Sequence, residues 1–84
     1  VLAARLASAL YAHGLERGVT ADFCDCNAHL EPFFTHLGYR PVRVVAHPEY
    51  GPVTVMRLDL HDVPHLRATG SPFAGLHERW TQVA

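Results

Sequence analysis

Residues 21–60 read ADFCDCNAHLEPFFTHLGYRPVRVVAHPEYGPVTVMRLDL, and their patterning decides the fold. The first six, Ala21 to Cys26, form a short alternating run of strand length. Asn27 follows, a residue that caps or turns a chain. A helix is predicted over 30–37. Pro32 fits only its first turn, because deeper inside it removes a hydrogen bond and clashes with the preceding turn. Gly38 ends that helix. The next strand, 39–46, contains Pro41, which confines that end to a sheet edge or a bulge. The turn-rich His47-Pro48-Glu49-Tyr50-Gly51 leads into a strand over 52–60. Val53, Val55, Arg57 and Asp59 occupy one face of it, and Thr54, Met56, Leu58 and Leu60 the other.

Outward from this block the pattern turns helical. Leu2, Leu6, Ala9 or Leu10, and Leu15 recur at helix spacing over residues 1–16, with Ala-rich filling that favours helix. Gly18 is placed to close it as a left-handed cap. Downstream, Asp62 caps a short helix running to about Thr69, and Ser71-Pro72 restarts the chain toward a last helix ending near Trp80. The order is helix, strand, helix, strand, strand, short helices. A helix between two strands predicts a parallel crossover, and the closing strand pair predicts a hairpin. The expected class is therefore α/β of the α+β kind, with a mixed sheet of at least three strands. One face of the first helix finds no partner in the chain, and Val1 opens directly on a helical pattern. Residues 1–84 are accordingly expected to be a single partial domain, the carboxy-terminal half of a larger one.

Composition narrows the function. Net charge is −1, with both signs interspersed, so no basic stripe marks nucleic acid as the main partner. No apolar run approaches the roughly 20 residues of a membrane helix. All seven basic residues are Arg, and Ile is absent, a pattern read as GC-rich coding bias. Cys24 and Cys26 share one strand face, close to His29 and His36, yet their spacing departs from the usual zinc pattern and no second cluster closes a tetrahedron. No metal site is expected. A Cys24–Cys26 disulfide would be strained along an extended strand, so reduced thiols and a cytoplasmic setting are expected.

The stretch Asn27 to Arg40, NAHLEPFFTHLGYR, resembles the segment of GNAT-type acyltransferases in which an Asn after a strand leads into a helix ending in Gly-aromatic. The run His47 to Phe73, HPEYGPVTVMRLDLHDVPHLRATGSPF, resembles the end of the N-acyl amino acid synthase group, GNAT-like enzymes related to autoinducer synthases. The likeness covers nearly the whole chain. It implies transfer of an acyl group from acyl-CoA or acyl carrier protein (acyl-ACP) to the amine of an amino acid or similar small molecule, with no resident cofactor. It also implies that the donor's pantetheine arm enters beside strand 21–26, where two parallel strands splay and leave backbone groups free. The resemblance places Cys24, Cys26, Asn27, Phe33 and Phe34 at the donor site. The implied partners are the thioester, the amine, and either an amino-terminal half or a second copy.

Two departures qualify the likeness. The pyrophosphate loop of such enzymes precedes the helix that here covers 1–16, so it would lie before Val1. Where many members carry a Tyr that protonates the leaving thiolate, this chain has Phe34, which has no proton to give. Tyr39 and Tyr50 are the substitute acids. Asp22 and Asp25, on opposite strand faces, are the candidate carboxylates to orient or deprotonate the amine. No catalytic residue is fixed beyond Asp22, Asp25 and Tyr39 as candidates. The competing class is a non-catalytic α/β binding or assembly module.

Overall fold

Glycine and proline punctuate the fold where the sequence places them. The computed structural model describes residues 2–83. Helix α1 (Leu2–Glu16) is followed by strand β1 (Ala21–Cys26), a 3₁₀ turn at Ala28–Leu30 and helix α2 (Glu31–Leu37). Strands β2 (Arg40–His47) and β3 (Gly51–Asp59) form a hairpin, and helices α3 (Val63–Ala68) and α4 (Phe73–Val83) close the chain. Helix α4 runs one turn past the expected end, and Val1 lies outside the described residues.

Gly38 ends α2 at φ 111°, a left-handed value that side chains rarely adopt. A Cβ there would also sit 2.5 Å from Leu66 Cδ2, so backbone and packing both require glycine. Pro41 lies on an edge strand, and the β2–β3 register shifts between Pro41 and Arg43, as a bulge. Asp62 caps α3 by accepting from the His65 backbone N–H.

The sheet order is β1-β3-β2. Strands β1 and β2 run the same way around the α2 crossover, as expected, but β3 inserts between them. Both pairings are therefore antiparallel, and the expected mixed sheet is antiparallel throughout. The tight turn after His47 lays β3 directly beside β2, and its other edge pairs with β1 while Met56 and Leu58 pack into the core.

The α+β class holds. Met56 and Leu58 on one face of β3, with Leu60 just after it, join Tyr11 and Leu15 of α1, Leu37 of α2, Leu66 of α3 and Phe73 of α4 in one buried cluster. All four helices thus contribute to that face. Leu66 is completely buried, so Leu66→Ala would cost about 2–5 kcal/mol. Tyr11 fixes α1 to the sheet: its hydroxyl donates to the Leu60 carbonyl at 2.6 Å, and its ring stacks on Phe73 with centroids 4.3 Å apart. Ser71 gives the Ser-Pro-Phe segment its structural meaning. Its hydroxyl donates to the Leu37 carbonyl at 2.5 Å and accepts the Phe73 N–H at 3.1 Å, joining the end of α2 to the start of α4.

The expected stripe of α1 does not pack as one. Leu15 is buried beside Tyr11, whereas Leu2, Leu6 and Leu10 are 82%, 60% and 63% exposed. None of the described helices is long and apolar enough to cross a membrane.

Candidate functional site

Strand alternation sorts the β1 candidates onto two faces. Asp22, Cys24 and Cys26 pair across from Leu58, Met56 and Thr54 on the helix-covered face, and Phe23 and Asp25 oppose Arg57 and Val55 on the other. Asp22 and Asp25 therefore act in different environments. Asp25 stays exposed on the open face, beside Phe23, whose ring lies 5.4 Å from the Arg57 guanidinium carbon.

Asp22 meets Tyr39, seventeen residues away, with the hydroxyl donating to Oδ2 at 2.5 Å. Two of the three catalytic candidates thus come together. Burial, then the hydrogen bond to Asp22, pushes the Tyr39 phenol well above its ordinary range. The phenol stays protonated, which makes it a fixed donor that positions the carboxylate rather than a base. It is also poorly matched as an acid for a thiolate. The other substitute, Tyr50, is 73% exposed in the β2–β3 turn beside His47.

The pair stands at the polar corner of a cavity of about 340 Å³ between α1 and the sheet. Leu10 and Tyr11 line it from α1, Phe34 and Leu37 from α2, Leu58 and Leu60 from the sheet side, and Phe73 closes it from α4. Its size falls at the low end for small-molecule pockets, and an apolar lining with a few polar groups is their usual character. His13 contributes a further polar edge.

The remaining candidates separate from this centre. Phe34 lines the cavity and meets the Tyr39 ring edge-on at 5.3 Å, but Phe33 is a surface residue outside it. Cys24 packs half-buried against the core, and the buried Cys26 lies 3.4 Å from the Met56 sulfur. Burial foremost raises the Cys24 thiol to about 11 and also raises Cys26, so both remain thiols rather than nucleophilic thiolates. Asn27 occupies the position before the 3₁₀ turn without a side-chain cap; its carbonyl alone accepts the Leu30 N–H. Among the described residues, no three His, Cys, Asp or Glu side chains are grouped to hold a metal ion.

Sequence reading missed Tyr11, His13 and Phe73 as lining residues. Tyr11 sits one residue from the apolar stripe, and its hydroxyl gives no sign in sequence of reaching Leu60. Comparison with family models, curated proteins and solved structures returns no match.

Proposed function

We propose that this domain is the acyl-transfer half of a GNAT-like N-acyltransferase, moving an acyl group from acyl-CoA or acyl-ACP to the amine of an amino acid or similar small molecule. One observation carries the reading. A solvent-reachable carboxylate, Asp22, is fixed by Tyr39 beside an apolar cavity, on a strand whose outer edge has no partner among the described residues. The free backbone groups of that edge suit the amides of a pantetheine arm. The cavity suits an acyl chain, and Asp22 suits the amine.

In the proposed reaction the amine nitrogen attacks the thioester carbonyl and the C–S bond breaks. The proton released by nitrogen passes to the Asp22 carboxylate and from there, through water, to the leaving thiolate, which restores the carboxylate. Phe34 supplies no proton and acts as a wall of the cavity. The open edge of β1 and the exposed leucines of α1 are covered, in this reading, by further strands outside residues 1–84.

The test is an assay of the full-length natural polypeptide containing these residues, with acetyl and long-chain thioesters and a panel of amines. N-acylated amino acids are the expected products. Acetyl transfer to proteins alone would remove the amino acid assignment. The exposed Leu2, Leu6 and Leu10 also favour an assembly module. That reading gains if the folded polypeptide associates with a partner yet neither binds nor cleaves any thioester.

A further inference from the structure

His61 stands just after β3, and His77 lies in α4, sixteen residues on. Their rings meet nearly at right angles, 84° apart, with His61 Nδ1 2.9 Å from His77 Nε2. His61 is exposed and His77 partly exposed, neither lines the cavity, and neither is used by the proposed acyl transfer.

That separation has a chemical meaning. Imidazole nitrogens sit about 2.0–2.1 Å from a first-row divalent ion, so two of them at a right angle lie about 2.9 Å apart. A tetrahedral angle would spread them to about 3.4 Å. Right-angled nitrogen donors are the preference of square or tetragonal ions, Cu²⁺ and Ni²⁺, for which imidazole is a suitable ligand. The exposed side of the pair leaves the other coordination positions to water. A direct imidazole–imidazole hydrogen bond has the same nitrogen separation and is the outcome the experiment must distinguish.

We propose that His61 and His77 form an open two-imidazole site for a divalent ion of the Ni²⁺ or Cu²⁺ kind. An ion held there clips the end of β3 to α4. Trp80 reports on it directly: it is the chain's single tryptophan, and its ring lies 5.5 Å from both histidine rings.

The experiment titrates the 84-residue chain with NiCl₂, following Trp80 fluorescence and the stoichiometry by calorimetry. Ni²⁺ is preferred because Cu²⁺ reacts with free thiols, and Cys24 and Cys26 are both free. Saturable quenching at micromolar Ni²⁺, reversed by EDTA, with one ion per chain, is expected. His61→Gln and His77→Gln should each weaken it at least tenfold while leaving the far-ultraviolet dichroism unchanged. If His77→Gln perturbs folding, the exposed His61→Gln carries the comparison. Quenching only at millimolar Ni²⁺, or equal quenching in a folded variant, would overturn the site and leave the pair as a hydrogen bond.

Discussion

At the scale of residues, the Tyr39 hydroxyl does two things: it satisfies one oxygen of Asp22 and it holds the carboxylate at the cavity edge. Tyr39→Phe removes a hydrogen bond to a charged group, which is worth about 1.5–3 kcal/mol at most, and less here because Asp22 reaches solvent. If Tyr39 positions Asp22 for the amine, the variant should lower kcat with little change in thioester affinity. Loss of stability with unchanged kcat, seen by parallel melting and kinetic measurements, would leave the tyrosine a structural role only. Asn27 gives the opposite case. Its side chain makes no cap, so Asn27→Ala should change stability by under about 0.5 kcal/mol. A larger loss in chemical denaturation would mean the side chain has a partner; weakened donor binding without such a loss would place it on the pantetheine arm.

Elements show how the two tyrosines couple the fold to pH. Tyr11 ties α1 to the sheet, and burial raises its phenol from 10 to about 12. Because the folded state holds the proton more tightly, this contribution is full below pH about 10 and is lost as pH rises toward 12. Tyr39 is shifted in the same direction. Denaturation measured between pH 8 and 12 should therefore show stability falling above about pH 10. Tyr11→Phe should start less stable at neutral pH, having lost the bond to Leu60, but decline less steeply; an unchanged slope would mean that Tyr11 does not set the alkaline limit.

Element by element, local chemistry was readable wherever one residue determines it. Gly18 and Gly38 take positive φ, Pro41 marks a bulged edge, and Asp62 caps α3. The alternation of β3 put Thr54, Met56 and Leu58 on one face, which is the buried one, although Val53 of the other face is buried as well. What local pattern does not carry is which strand lies beside which. The insertion of β3 between β1 and β2 is a tertiary choice, made by hairpin return and by burial of Met56, Leu58 and Leu60. For the same reason the Asp22–Tyr39 contact was invisible: the two residues were both singled out, but nothing local joins them. The apolar stripe of α1 marked the helix, and its exposed Leu2, Leu6 and Leu10 agree with the expectation that one face finds no partner in the chain.

Across the whole chain, the described residues form a sheet that helices cover on one face, and its open surfaces include the outer edge of β1 and the leucines of α1. An unpaired edge tends to recruit another chain. Residues 1–84 in isolation should therefore show a mass that rises with concentration in sedimentation, and Leu2→Glu with Leu6→Glu should shift it toward the monomer. A wild-type chain that stays monomeric at high concentration would show that these surfaces need no cover. The central claim is that Asp22, on the strand with the open edge, serves acyl transfer to a small amine. Its most direct measurement is acyl transfer from a labelled thioester to amino acids by the full-length natural polypeptide, wild type against Asp22→Asn. The wild type should give N-acyl product, and the variant, still folded and able to bind the thioester, a kcat/KM lower by roughly 100-fold. Equal turnover in Asp22→Asn, or a folded wild type that binds no thioester and forms no product, would contradict it.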